Sequence, residues 1–310
     1  MALDTVNNSS LVRTNVWANE VKDVLQEELM LDSHIRWITE FPDGDTLNIP
    51  TLSEMTVRNY SEGATITLDD PTTGNFTLTI DKYYQSGFKI PEKFRHDSFY
   101  VSVAESNFVQ KLTRALLEQK ESDIANLQSS QTASNPNTIN SVDHRWVGSG
   151  TDEAMTLADM QKAKLSLDKA KVMRGGRRAF VDPSVTYELQ SISNVIQQDV
   201  YGGNAHIREG MNGTAFVGRF AGFDLFESLF LDNGITETIT ATAPTAGSDT
   251  GTSAFANMFV GEEAFIGALR ALPDMDAWYD NNTRSDVYHV TMRYGIKLYR
   301  PESLVVVLTE

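Results

Sequence analysis

The stretch Asp97–Ser129, DSFYVSVAESNFVQKLTRALLEQKESDIANLQS, sets how the rest of the sequence is read. It holds neither glycine nor proline. Val101, Ala104, Phe108, Leu112, Ala115 and Leu116 recur at helical spacing on one face, with Ile124 and Leu127 further on. Asp97 or Ser98 can cap the start, and the polar run Ser129–Asn140, which includes Asn135-Pro136, ends it. A helix of this length runs ~48 Å at 1.5 Å per residue, against an average globular helix of ~11 residues.

Upstream of it the period changes to two. Leu47 and Ile49, then Ala64–Leu68, then Phe76–Ile80 alternate apolar residues with threonine or polar ones, as half-buried antiparallel strands do. Asp69–Asn75, DDPTTGN, has turn composition. Residues 46–91 therefore read as a hairpin-like excursion with few bulky side chains, and a two-stranded ribbon is marginal alone. Before it, Val16–Leu31 carries Val16, Trp17, Val21, Val24, Leu25 and Leu29 at helical spacing, behind a polar leader.

Downstream, Thr156 opens a capping-box pattern with Asp159 for a helix to Met173, stopped by Gly175-Gly176. Arg178–Val181 reads as a strand, and Asp182-Pro183 as N-cap and first residue of a helix to Ile196. Gly202, Gly203, Gly210 and Gly213 mark an open loop; Ala215–Leu231 is strand-like and rich in phenylalanine. Thr236–Ser253 reads as a Thr-, Ala- and Gly-rich loop, Met258–Val260 as a short strand and Glu262–Arg270 as a short helix. From Tyr288 to Leu298 apolar and polar residues alternate in a strand of ~40 Å. Leu304–Leu308 is continuously apolar, the pattern of a strand buried on both faces.

With 310 residues, 41% of them hydrophobic and 22% charged, the chain can build a sizeable folded core. No run approaches the ~20 apolar residues of a membrane span, and the first residues lack the basic start of a secretory signal. The absence of cysteine excludes disulfides and thiolate chemistry. A net charge of -16 argues against general attraction for nucleic acid. The basic cluster Arg174–Arg178 reads either as charges complementing a helix C-terminus or as a phosphate contact.

Chemistry-bearing constellations are weak. Gly148-Ser149-Gly150 begins like a dinucleotide loop but lacks the third glycine and a preceding strand. Ser166-Leu167-Asp168-Lys169 matches a Ser-x-x-Lys pattern without its companion motifs. The pairs Asp43/Asp45 and Asp274/Asp276 could hold a hard cation, yet both sit in turn-like segments where aspartate is common. His34, His96, His144, His206 and His289 are scattered. An enzyme using the α/β region Arg178–Leu231 would lack a nucleophile–base pair. No catalytic, cofactor-binding or metal residue is assigned, and the expectation is a structural protein, not an enzyme.

Four stretches in order carry a resemblance. Ser86–Pro91 (SGFKIP) leads into the long helix; Arg178–Pro183 (RAFVDP) is a strand ending in a Pro-started helix. Gly218–Ser228 (GRFAGFDLFES) is a glycine-hinged hairpin turning at Gly222; Tyr294-Gly295 through Arg300-Pro301-Glu302 precedes the closing valines. Together they resemble the major capsid proteins of tailed bacteriophages, the Hong Kong-type fold shared with encapsulin shells. An encapsulin is the lesser branch, since no cargo is indicated; a β-rich adhesin-like protein is opposed by the long helix.

The resemblance implies an α+β fold. It would have an N-terminal arm (1–45), an extended β-hairpin loop (46–91), a peripheral domain with a spine helix (92–177) and an axial α/β domain (178–275). A peripheral return strand (276–300) and a C-terminal axial strand (301–310) would complete it. The late strand Val287–Tyr299 would lie along the spine helix. It also implies self-assembly through hexamers and pentamers into an icosahedral head shell enclosing double-stranded DNA, in the virion, built in the host bacterial cytoplasm. A separate scaffolding protein, a portal and decoration proteins are expected as partners, with no sequence-specific DNA contact and no membrane. No lysine occurs between Lys22 and Lys82, so the hairpin tip offers none for an isopeptide bond and the shell is expected to be non-covalent. Leu112–Leu127, with Glu118, Glu121 and Asp123, reads either as part of a DNA-repelling lining or as a solvated face paired with Lys111, Arg114 and Lys120.

Overall fold

The computed structural model describes residues 29–39, 44–53, 55–63, 65, 68–70, 72–97, 101–130, 138–191, 216–231, 237–241, 247–251 and 255–310. Its strands are β1 (Arg36–Ile38), β2 (Thr46–Leu52), β3 (Thr73–Thr79), β4 (Lys82–Pro91), β5 (Arg145–Val147), β6 (Arg178–Val181), β7 (Phe216–Phe220), β8 (Phe223–Glu227), β9 (Glu237–Ala241), β10 (Gly247–Gly251), β11 (Phe255–Val260), β12 (Phe265–Asp280), β13 (Ser285–Leu298) and β14 (Leu304–Thr309). Its helices are α1 (Glu92–Asp97), α2 (Val101–Ala125), α3 (Leu157–Lys169) and α4 (Pro183–Ser191).

The long helix and the long late strand find each other. α2 lies on a four-stranded sheet of order β1-β12-β13-β4. Because side chains alternate along a strand, Val290, Met292 and Tyr294 of β13 all face the helix, where Leu112 and Leu116 pack on them. Near the helix end Asp123 accepts hydrogen bonds from the hydroxyls of Tyr84 and Tyr294, each at 2.9 Å. Burial, then the Asp123 carboxylate, pushes Tyr294 above its ordinary range; burial and the same partner raise Tyr84 to about 12. Both phenols thus stay protonated donors.

β2 and β3 form a separate two-stranded ribbon, from Thr46 opposite Thr79 to Leu52 opposite Thr73. Its base is anchored: Leu78 and Ile80 pack on Ile266 and Ala268, and Asp45 pairs with Arg293 at 2.7 Å. The expected strand Ala64–Leu68 is not part of this ribbon; Thr65 and Leu68 are non-strand, and the other positions lie outside the described residues. The ribbon instead uses Thr46–Leu52, whose alternation was equally good, so its tip is the longer segment between Leu52 and Thr73.

β14 lies one strand in from the edge of a six-stranded sheet of order β5-β14-β11-β6-β8-β7. Its alternation feeds two cores. Leu304, Val306 and Leu308 face one that includes Leu31, Ile35 and Ile124; Val305 and Val307 face another with Met160, Ala163, Leu167 and Val185 from α3 and α4. Thr156 and Asp159 make the reciprocal capping box of α3, and the Asp182 carboxylate accepts from the Ser184 N–H at 2.8 Å to start α4. Ala221 and Gly222, at φ 49° and 91°, turn β7 into β8, a left-handed pair that glycine favours.

Several expectations are corrected. Glu262–Arg270 is not a helix: Phe265 onward is β12, held between β1 and β13. Its Ala, Leu and Glu favour helix intrinsically, but pairing on both sides overrides that preference. α3 stops at Lys169, not Met173, because Lys171 takes a left-handed φ of 61°. Within Thr236–Ser253 the chain forms the antiparallel pair β9–β10. The sheets also divide the chain differently from boundaries at 177 and 275. β5 and α3 belong with the six-stranded sheet, while β12 crosses 275 inside the four-stranded one. The expected helix Val16–Leu31 and the loop glycines Gly202, Gly203, Gly210 and Gly213 lie outside the described residues, Leu31 itself apart.

Candidate assembly surfaces

The residues singled out for chemistry have structural employment. Ser166 Oγ donates to the carbonyls of Asp143 and Lys162. A Cβ at Gly148 would meet the Glu153 carbonyl oxygen at 2.3 Å, so close backbone approach accounts for this glycine. Arg177 donates to the carbonyls of Val172 and Met173 and to Asp168 at 2.7 Å, closing the end of α3 as a C-terminal cation does. Asp45 holds Arg293; its companion Asp43 lies outside the described residues. Asp274 and Asp276 gain no third ligand, and among the described residues no group of three or more His, Asp or Glu could hold a metal.

The histidines stay apart in role. His96 is exposed on α1 and His144 buried; His289 faces Gln85 at 3.2 Å; His206 lies outside the described residues. His34 is wedged between the Phe180 and Phe226 rings at 5.1 and 5.0 Å. Burial, then the Arg178 charge, lowers it to about 4. It borders an open cleft of about 280 Å³, where Arg36 pairs with Glu263 at 3.1 Å.

His34 belongs to a strap, Leu31–Ile38, that ties the two sheets and α2 together. The Glu121 carboxylate accepts from the N–H groups of Leu31 and Asp32, at 2.9 and 3.0 Å. Lys120 reaches Asp32 at 2.6 Å and lies over the Trp37 ring. Burial pushes the Glu121 carboxyl above its usual range, against the pull of the two N–H donors. Trp37 in turn covers Gly267, where a Cβ would stand 2.5 Å from the indole. These contacts overturn the lining reading for two of its three acids. Glu121 is buried on the strap, Asp123 is held by two tyrosines, and Glu118 pairs with Arg114 at 2.7 Å. Nothing in the helical spacing of Glu121 signals this, because its partners lie about ninety positions away.

The most exposed of the large apolar side chains lie on the ribbon tip. Leu52, Val57, Tyr60 and Leu68 are 81%, 97%, 77% and 82% exposed, with Met55 beside them. Single exposed apolar residues are ordinary; several on one segment make it a candidate interaction surface. Among the described residues no helix is long and apolar enough to cross a membrane.

Comparison with solved structures defines the class to which this architecture belongs. The capsid of cyanophage P-SCSP1u superposes with a TM-score of 0.74 at 17% identity, over 97% of this chain and 94% of that one. Mycobacterium phage Che8 gives 0.68 at 19%, over 94% and 96%. The capsid of a native GTA particle gives 0.69 at 10%, over 100% and 99%. No protein-family model and no curated protein matches the sequence. The chain has the α+β fold of phage major capsid proteins.

Proposed function

We propose that this chain is a major capsid protein that self-assembles into the icosahedral head shell of a tailed phage, enclosing double-stranded DNA as a structural and non-catalytic subunit. The observation that carries the reading is the β2–β3 ribbon. It is anchored at its base yet bare and apolar at its tip, a surface that makes sense only when a neighbour covers it. In this reading the β2–β3 ribbon, 46–79, is the extended loop, while β1 and β4, expected in the arm and the loop, belong to the sheet under α2. The sheet under α2 is the peripheral domain, and the six-stranded sheet is the axial domain around which hexamers and pentamers gather. A separate scaffolding protein, a portal and decoration proteins are its further partners, the shell is non-covalent, and it forms in the host cytoplasm before residing in the virion.

Electron microscopy of the expressed protein, alone and with its neighbouring gene products, tests this. Closed shells support it; fibres or particles no larger than a few subunits overturn it. A ladder of cross-linked species on denaturing gels of particles would refute the non-covalent part alone.

A further inference from the structure

The four-stranded sheet has one edge that the described chain covers only in part. β1 pairs with β12 at Ile266, Gly267 and Ala268, but β12 continues to Asp280 with β13 on its other side. The register is irregular between Leu269 and Asp274, around Pro273, and regular from Asp274 onward. Every residue from Asp274 to Tyr279 is exposed. Among the described residues no backbone hydrogen bond reaches this segment from outside its ladder with β13. Such an edge presents a row of unused N–H and C=O groups, a template for another strand.

Its side chains specify what could add there. Asp274 stands opposite Thr291, Asp276 opposite His289 and Trp278 opposite Val287. Directly opposed residues share a face, and the even-numbered residues of β13 point toward α2. Asp274, Asp276 and Trp278 therefore form a row on the face away from the helix. Trp278 is held edge-on to the His289 ring at 6.0 Å. Asp280 is already engaged, accepting from the Asn282 N–H and the Thr283 hydroxyl. Among the described residues the Asp274 and Asp276 side chains make no hydrogen bond or ion pair, and no lysine or arginine occurs between Arg270 and Arg284. A second copy of this strand would set carboxylates against carboxylates, whereas a basic strand would neutralise them.

We propose that residues 274–280 of β12 dock an extended, basic segment of a different protein, which joins the sheet as an added strand. Main-chain hydrogen bonds supply affinity and alternate side chains the register. Lysine or arginine at two positions spaced by one residue meets Asp274 and Asp276, and an apolar side chain two positions further lies on Trp278. The site concerns a partner other than the chain itself and does not depend on shell formation.

The test uses the full chain, both unassembled and in whatever particles it forms. The probes are two synthetic ten-residue peptides of alternating valine and lysine, or valine and glutamate. The lysine peptide is expected to bind, to slow amide hydrogen exchange across 274–280, and to be released at about 1 M salt, where exposed charges are screened beyond ~3 Å. Combining Asp274→Asn with Asp276→Asn should weaken it about tenfold, two exposed ion pairs' worth. Combining Asp274→Lys with Asp276→Lys should instead select the glutamate peptide. Both positions are exposed, so unchanged thermal unfolding of the variants is expected. Protection elsewhere than 274–280, or equal affinity of both peptides for both charge variants, overturns the proposal. So does protection of 274–280 by self-association without peptide, which would make the occupant a second copy. Loss of shells with retained peptide binding would refute the capsid reading and leave this one standing.

Discussion

β14 and the tip of the β2–β3 ribbon both carry large apolar side chains, yet they meet opposite fates. Every residue of β14 is buried, between two strands and two cores; Leu52, Val57 and Tyr60 at the tip face open solvent. The difference is topological. β14 sits inside a sheet whose two faces the same chain covers, while the ribbon packs on the four-stranded sheet through Leu47, Ile49 and Phe76 at its base, and Leu52, Val57 and Tyr60 stay exposed. Burial of an apolar side chain contributes roughly 1.5–3 kcal/mol, and in this chain the tip does not collect it. A chain built this way has filled cores and an exposed apolar extremity.

The largest effect should come from breaking the complete side. Val306→Asp places an unpaired carboxylate between Leu304 and Leu308 in the core, and should cost more than about 4 kcal/mol. Loss of a cooperative melt in circular dichroism is expected; a soluble variant with native unfolding would mean the sheet is looser than described. Breaking the incomplete side should do the reverse. Leu52→Asp combined with Tyr60→Asp should leave the unfolding free energy within about 0.5 kcal/mol of the parent while abolishing assembly, as read by sedimentation and microscopy. A variant that still forms particles would place the contacts elsewhere.

Intermediate effects belong to the polar ties. Tyr294→Phe removes one of three side-chain donors to Asp123, the others being Tyr84 and Gln119, and should cost about 1–2 kcal/mol, measured by denaturant unfolding; no change would show that the remaining donors satisfy the carboxylate. His34 gives a smaller effect with a defined sign. Its folded value, about 4, lies below the ordinary 6.5. The unfolded chain therefore takes up this proton first, and the contribution present above pH 6.5 is lost as pH falls toward 4. His34→Phe should flatten stability across that window. An unaltered pH profile would assign the dependence to another group.

The charge sharpens the comparison further. At -16 per chain, copies of the chain repel; if they assemble as proposed through the exposed apolar tip, which salt hardly screens, the critical assembly concentration should fall as salt rises. A concentration that climbs with salt would mean that ion pairs, not the apolar tip, hold the contacts.

The sequence by itself determined the elements whose signals are local. The period of α2, the alternation of β13, the unbroken apolar run of β14, the Thr156 and Asp182 caps and the Ala221-Gly222 turn all depend on residues within a few positions of one another. Only the tertiary structure decided the rest. Phe265–Arg270 became strand because β1 and β13, far away in sequence, flank it. Thr46–Leu52 won over Ala64–Leu68 as partner for β3 although both alternate. Glu121 lost its place on a solvated helix face to the strap's backbone N–H groups. Among the described residues the acidic edge of β12 is open because β1 pairs with it only as far as Ile38 and Ala268. Local periodicity tells a segment which sides it must cover, and the partner that covers them, or fails to, is chosen by the free energy of the whole chain.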